Sequence, residues 1–454
     1  MDYESIKRLG LESYGIDPEN SRETYDSSNS NHTIIAHLLK QDEVICPLCG
    51  VINEGTIVGS RPQLIKYSTA IEDNITIKLY RREYQCKGCS HRFKEKNPFS
   101  TNKNRISITK EYKILEELKS IKSTFTDVAN KFDVSVTYVS NLFDRKVHVE
   151  RLPLSEVICV DEVYSKKLSY HHYCFVIYNP KERKIIDVLD SRRIDGLEQY
   201  FSKIPKEERE KVKYFSMDLY NNYRLIAQKW LPNALICADS FHVIKNLSQF
   251  FHQIRIKIMK HYSYLKDDND IHYWFFKKYF KLLTIDQSKL NYKKHLVKKT
   301  GQLMSSNLIV EEMLELDLEL KLAYELLHEY RLFNSKATET NCAEWFDKLI
   351  LKFQKSKIDE YVQAWKLLLN WRKEILNSFK KIGDYRVSNG PMERANRDIK
   401  TLFRSSFGSR NFTRMRNRIM YSINQDCSIL YPGKNNTNKY KYEKRGKYKK
   451  KENK

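Results

Sequence analysis

Val157-Ile158-Cys159-Val160-Asp161-Glu162 is the stretch on which the fold turns. A near-continuous apolar run that ends in carboxylates reads as a buried strand carrying chemistry at its end. Downstream, Tyr173–Tyr178 and Lys184–Leu189 read as two more strands joined by the turn Asn179-Pro180-Lys181-Glu182. A short amphipathic helix is expected over Asp195–Ile204, a strand over Val212–Met217, a helix over Asn221–Trp230 and a fifth strand over Ala234–Ala238. Three strands, helix, strand, helix, strand is the order of an RNase H-like core. The first three strands form an antiparallel meander and the remainder form crossover units.

Working outward, the expected fold class is α/β multidomain. An RNase H-like mixed five-stranded sheet carries a large all-helical insertion and is preceded by a small four-cysteine zinc-binding domain and a helix-turn-helix. Residues 1–40 read as a polar segment with a loop at Asp26–Asn31, 41–100 as the zinc-binding domain and 105–150 as the helix-turn-helix. Pro153 marks a boundary before the first part of the core, 155–244. Residues 245–385 read as nearly all helix, 386–425 as the last helices of the core, and 433–454 as a basic tail without apolar period, expected to be disordered.

The chain has 454 residues and a formal net charge of +24. A surplus of that size favours a polyanionic partner, since neutralising phosphates releases counterions. No apolar run reaches the ~18–20 residues that span a bilayer, and the start Met1-Asp2-Tyr3-Glu4 is unlike a secretory signal. The expected location is cytoplasmic, nucleoid-associated when bound to DNA. Nine cysteines in such a chain do not suggest a disulfide scaffold.

Four of them form Cys46-Pro47-Leu48-Cys49-Gly50 and Cys86-Lys87-Gly88-Cys89. Two thiolates on each of two tight knuckles suit tetrahedral Zn²⁺, with glycines easing the turns. The long spacer would hold a β-hairpin, and His91 is a possible substitute ligand. Four protein ligands leave no open position, so this zinc is structural.

Thr126–Phe143 has the layout of a helix-turn-helix: Val128, Ala129 and Phe132 pack the first helix, Val139 and Leu142 the second, and Ser135 caps it. Thr137, Tyr138, Asn141 and Arg145 would face the major groove. Asp133 stands where glycine is usual, although Asp tolerates a left-handed turn better than most residues.

Three acids carry the expected chemistry. Asp161 ends the first strand, Asp218 ends the fourth (Tyr214-Phe215-Ser216-Met217-Asp218), and Glu393 opens the last helix (Asn389-Gly390-Pro391-Met392-Glu393-Arg394). The first and fourth strands would be neighbours, placing two Asp side by side, with a helix across the edge supplying the third. Carboxylates this close need a cation, and an open oxygen cluster suits Mg²⁺ or Mn²⁺. Met392, Ala395, Ile399 and Leu402 make a buried stripe, and Glu393 lies about 100° off it. Asn396, Arg397 and Lys400 follow on the side of Glu393, suited to DNA phosphates. Asp239, in Ala238-Asp239-Ser240-Phe241-His242-Val243, is the alternative second acid; otherwise Asp239 and His242 form an accessory pair. Glu162, Asp187 and Asp190 are weaker candidates, Glu162 because neighbours on a strand face opposite ways.

These motifs, with Ser216-Met217-Asp218, Pro232-Asn233-Ala234 and Ser388-Asn389-Gly390-Pro391-Met392-Glu393-Arg394, resemble the bacterial ISL3-type insertion-sequence transposases over roughly residues 40–425. The resemblance implies a DDE transposase with a helical insertion after the fifth strand, acting on terminal inverted repeats and target DNA. Asp161 would take the first acidic position and Glu393 the last. A later C/D-x-x-H signature, matched by Asp239–His242, supports Asp218 as the second ligand and makes Asp239 and His242 accessory. A homodimer in the DNA complex is expected, because two ends are cut together. A non-catalytic DNA-binding regulator and a cellular RNase H-like nuclease are the rival readings.

Overall fold

The computed structural model describes residues 1–27, 31–41, 43–53, 56–100, 105–165, 168, 172–263, 271–383, 385–406 and 410–425. The expected tail, 433–454, lies outside the described residues. The chain divides into two units, Met1–Glu150 with the residues from Asn417 onward, and Arg151–Arg416.

In the first unit, helix α1 (Tyr3–Arg8) precedes strands β1 (Arg22–Asp26) and β2 (Asn31–His37). The short pair β3 (Val44–Ile45) and β4 (Ile52–Asn53) is followed by a long hairpin, β5 (Thr56–Tyr67) and β6 (Ile75–Gln85), and by β7 (Arg92–Lys94). The main sheet runs β1-β2-β6-β5, with β7 also on β6. Residues 1–40 are therefore more than a polar lead-in. The alternation in Asn31–His37 turns Ile34 and Ala36 inward against Ile65, Ile77 and Leu79, and Ile6, Leu9 and Leu11 close the same core. The alternation is blurred in the sequence because His32 is among the inward residues and Ile35 among the outward ones.

Helices α2 (Ile108–Glu117), α3 (Phe125–Lys131) and α4 (Val136–Lys146) follow. Each has its start written locally. Ser107 and Ser135 cap α2 and α4 through their side-chain oxygens, and Thr124 with Asp127 forms a reciprocal capping box on α3. Asp133, between α3 and α4, sits at φ +50°, the left-handed turn its position required. Val128, Phe132, Val139, Leu142 and Phe143 make the buried centre; truncating one of them to Ala would cost about 2–5 kcal/mol.

In the second unit, β8 (Val157–Tyr164), β9 (Tyr173–Asn179) and β10 (Lys184–Leu189) form an antiparallel meander. Helices α5 (Ile194–Ser202) and α6 (Lys206–Arg209) lead to β11 (Tyr214–Met217), and α7 (Asn221–Trp230) leads to β12 (Leu235–Ala238). The sheet order is β10-β9-β8-β11-β12, and β11 is parallel to both β8 and β12. β9 is buried on both faces, which is why its sequence is a continuous apolar run and not an alternation.

The remainder of the unit starts with α8 (Ser240–Ser263), directly after β12, and α9 (Ile271–Lys278). A small hairpin follows, β13 (His295–Val297) and β14 (Gln302–Met304). Helices α10 (Ser306–Glu315), α11 (Leu318–Lys336), α12 (Cys342–Lys355), α13 (Asp359–Asn370) and α14 (Arg372–Asn377) make the bulk of the insertion. A second hairpin, β15 (Lys381–Ile382) and β16 (Tyr385–Arg386), ends it before α15 (Gly390–Ser405); α16 (Phe412–Asn424) begins in this unit and has its residues from Asn417 onward in the first. The insertion is thus predominantly, but not wholly, helical; strands of two or three residues are too short to leave a period-2 signal. α14 covers the free edge of β12, where Nδ2 of Asn377 donates to the Ile236 carbonyl at 2.9 Å. No described helix is long and apolar enough to cross a membrane.

Candidate active site

β8, β11 and β12 are adjacent and parallel, so their carboxyl-terminal ends open on one side of the sheet. Asp218 directly follows β11 and Asp239 directly follows β12, where the Asp239 N–H donates to the Met217 carbonyl at 2.8 Å. Asp161 does not end its strand. β8 continues to Tyr164, because residues 161–164 still pair with β9. α8 begins at once after Asp239 and places His242 in its first turn, with Nδ1 3.0 Å from Oδ2 of Asp218. Ligand-capable atoms of Asp218, Asp239 and His242 all lie within 4.8 Å of one another.

Asp161 and Glu393 flank this set. Burial and the neighbouring Asp218 carboxylate push the Asp161 carboxyl up to about 6. Burial also raises Asp239, and Asp218 and Glu393 add to the rise. For His242, burial works against the charged ring, but the contact with Asp218 and the charges of Asp239 and Asp161 outweigh it, and its pKa lies above the ordinary value. Glu393 is exposed in the first turn of α15. Oδ1 of Asp218 is buried and has no hydrogen-bond partner. A buried carboxylate oxygen facing other acids is costly unless a cation completes it. By donor chemistry, the cluster therefore fits a hard divalent ion.

Two asparagines that the sequence reading did not place in this role hold the site together. Nδ2 of Asn396, on α15, donates to Oδ2 of Asp161 at 2.6 Å. Asn389, just before α15, donates from Nδ2 to the Val160 carbonyl at 3.0 Å and from its backbone N–H to Oδ1 of Asp239 at 3.2 Å. The Ser388-Asn389-Gly390 lead-in thus pins the last helix to β8 and to Asp239. Asn396 is buried, not turned to DNA as expected, whereas Arg397 and Lys400 are exposed on α15. The signal was present: Asn396 is four residues from Met392 and three from Ile399, a polar residue on the flank of an apolar stripe.

The weaker candidates have other partners. Glu162, on the opposite side of β8, pairs with Arg192 at 2.6 Å and accepts from the Tyr223 hydroxyl at 3.1 Å. Asp187 is buried against Nε of Arg416 at 2.6 Å. Asp190 lies close enough to help raise the Cys174 thiol.

In the first unit the four cysteines meet. Sγ of Cys46 is 3.8 Å from that of Cys89, and Cys49 is 3.5 Å from Cys86. A tetrahedron with metal–sulfur bonds of about 2.3 Å has edges near 3.8 Å, so the spacing suits Zn²⁺. The two knuckles repeat one backbone pattern. The Cys46 and Cys86 N–H groups donate to the carbonyls of Val51 and His91, and the Gly50 and Ser90 N–H groups donate back to Cys46 and Cys86. The left-handed residues are Gly50, at φ +72°, and Ser90, at +58°. Gly88 is not among them, so the second knuckle turns on a serine. His91 stacks on Phe93 and stands outside the four-cysteine group.

On α4, Thr137 and Asn141 are exposed. Tyr138 and Arg145 are drawn toward α2: the Tyr138 hydroxyl donates to Oε1 of Glu111 at 2.7 Å, and Arg145 meets the same oxygen at 3.1 Å.

The profile of a family described as Transposase, that of the ISL3-type DDE transposases, matches residues 158–419, more than half of the chain. No curated protein matches the chain.

Proposed function

The chain belongs to the ISL3-type DDE transposase family, and from that premise we propose that it binds the terminal inverted repeats of an insertion sequence and cuts and joins DNA in an RNase H-like acidic site. The observation that carries the reading is the meeting of Asp218, Asp239 and His242 at one side of three parallel strands, with Asp161 near enough to Asp218 to be raised by its charge and Oδ1 of Asp218 buried and unpaired. Asp161, Asp218 and Glu393 would hold Mg²⁺ or Mn²⁺, and Asp239 with His242 stands beside them as an accessory pair or, for Asp239, as an alternative ligand. Bound divalent ions would supply activation of an attacking oxygen and stabilisation of the leaving one.

The protein's own groups do the rest. Asn396 keeps Asp161 in one orientation by holding one of its oxygens. His242, held by Asp218 and biased toward its charged form, would face a phosphate oxygen of the scissile bond. Arg397 and Lys400 extend from the site along α15 as phosphate contacts. In the first step water adds to phosphorus, the P–O3′ bond breaks, and the departing oxygen takes a proton to become a 3′-hydroxyl. In the second, that hydroxyl attacks a target phosphodiester, so one P–O bond forms as another breaks. The zinc-bearing unit, with Thr137, Tyr138, Asn141 and Arg145 of α4, would read the element end, and a homodimer would pair two ends.

The test is cleavage of an oligonucleotide carrying the element's flanking repeat, with Mg²⁺ or Mn²⁺, by wild type and by the Asp161→Asn, Asp218→Asn, Asp239→Asn and Glu393→Gln variants. Cleavage that needs the repeat and is lost in the Asp161 and Glu393 variants is expected. Equal cleavage of unrelated DNA would make the protein a nuclease, and no cleavage under any metal would make it a regulator.

A further inference from the structure

The insertion carries a charge anomaly that the acidic site does not use. Between Asp286 and Glu311 the chain has five lysines and no acidic residue. Four of them, Lys293, Lys294, Lys298 and Lys299, lie on and beside the β13–β14 hairpin, and all four are exposed. Among the described residues, none of the four is ion-paired. Some lysines elsewhere in the insertion do meet acids: Lys257 meets Glu319 at 3.0 Å, Lys348 meets Glu344 at 2.5 Å, and Lys352 meets Glu329 at 2.6 Å. A lysine-rich surface is most often a solvated face with acids interspersed; this stretch of chain supplies none.

The hairpin is also built to stay in place. Val297 and Met304 are buried beneath it, while Leu296 and Leu303, paired in register, are 58% and 62% exposed on the other face. Lys299 and Lys278 both lie over the ring of Trp274 on α9, at 6.0 and 4.5 Å. α9 is in turn tied to α8, where Nη1 of Arg255 donates to the Phe276 carbonyl at 2.8 Å. α8 is the helix that carries His242, so one rigid element connects the site to the lysine-rich surface. At ~1.5 Å per residue, Arg255 is about 20 Å from His242 along it, within one turn of duplex DNA.

We propose that the β13–β14 hairpin, with α9, is a second DNA-contact surface. Resting on the function proposed above, it would hold the phosphate backbone of duplex DNA outside the element's terminal sequence as that DNA passes the acidic site. Lysine point charges favour a phosphate track over base reading, and DNA of variable sequence offers only the track. Exposed Leu296 and Leu303 would rest against the groove between phosphates.

The experiment uses the full-length protein and two duplexes, one with the element end and one of unrelated sequence, titrated across salt. In the variant K293A/K294A/K298A/K299A, folding is checked by circular dichroism. Affinity for the unrelated duplex is expected to fall tenfold or more, and the slope of log K against log salt to drop by about three. Cleavage of an element end lacking flanking DNA should change less than about twofold. An unchanged salt slope in a folded variant would overturn the inference while leaving the proposed function intact. Loss of a dimer in L296S/L303S, with DNA binding unaltered, would also overturn it by assigning the surface to a second copy. Failure of wild type to bind either duplex would remove both readings together.

Discussion

The thiol cluster and the carboxylate cluster both gather ligand-grade side chains, and they do so in opposite ways. Cys46, Cys49, Cys86 and Cys89 come from two copies of one backbone knuckle, and their sulfurs are matched to each other at 3.5–3.8 Å. The acids come from two strand ends, a strand interior and the first turn of one helix, spread from Asp161 to Glu393, with His242 added from the first turn of another. The first set is closed: four sulfurs satisfy a tetrahedral ion and leave nothing for a substrate. The second is open, with a buried oxygen of Asp218 unpaired and Glu393 exposed. A closed set stores folding energy, whereas an open one keeps charge unsatisfied for chemistry.

The largest expected effect breaks the closed set. Cys86 is buried, and Cys86→Ser removes one of four matched ligands. Structural zinc contributes about 10 kcal/mol or more in small domains, so the first unit should lose its zinc and melt at a much lower temperature, with element-end binding lost. Zinc content and melting measured on the same sample decide this. A variant that keeps one zinc per chain and its melting temperature would show that the thiols are not a metal site.

The open set should respond differently, with chemistry failing while the fold holds. Asp218→Asn preserves shape but removes the charge facing Asp161, Asp239 and His242. Cleavage of the element end is expected to fall about a thousandfold, the loss of about 4 kcal/mol of transition-state stabilisation, while melting without metal stays equal or rises. A cleavage rate within tenfold of wild type would take Asp218 out of the site and pass its role to Asp239.

A smaller effect tests the shell around the acids. Asn396→Ala leaves every acid in place but frees the Oδ2 oxygen of Asp161 that Asn396 holds. Groups that orient a metal ligand typically contribute 10–100-fold. The expected signature is a higher Mn²⁺ or Mg²⁺ concentration for half-maximal cleavage, with partial recovery at saturating metal. If the metal requirement is unchanged, Asn396 is only a packing residue of α15.

The same contrast explains what could be read from the chain without coordinates. The Cys-x-x-Cys pairs were legible because each knuckle is local, although the left-handed role of Ser90 was not, since a glycine stood two residues earlier. Strands β8 to β12 were legible because burial leaves short, mainly apolar runs, most continuous in β9 and β12. The extension of β8 past Asp161 was not, because pairing with β9 outweighs the polarity of Asp161 and Glu162. Asn389 and Asn396 act on Val160, Asp161 and Asp239 across the fold. The spacing of Asn396 from Met392 and Ile399 marks it as flanking the buried stripe, but contacts so distant in sequence do not name the partner, Asp161, that it holds. The N-terminal strands were hidden for a third reason: β1 is a short polar strand paired with β2, and β2 joins the sheet through a parallel pairing with the distant β6.

The smallest expected effect is on the stability of metal-free protein against pH, and it follows from the acids lying close to one another. Asp161 has an ordinary carboxyl pKa of 3.8 when unfolded and about 6 when folded. Between those values the folded protein keeps a proton that the unfolded chain has released. Because the native state binds more protons there, stability falls as pH rises from about 4 to about 6, the reverse of an Asp held by a salt bridge. Asp239, also raised, acts in the same direction, and His242 extends the fall above 6.5, since its folded ring holds a proton longer than a free one. Metal-free protein should therefore melt at a lower temperature at pH 7 than at pH 5. Millimolar Mg²⁺ or Mn²⁺ should recover most of the loss, because a bound cation replaces the repulsion, and Asp161→Asn should shallow the slope. A metal-free melting profile that rises across the same window, or one indifferent to Asp161→Asn, would mean that these acids do not press on one another as the open cluster requires.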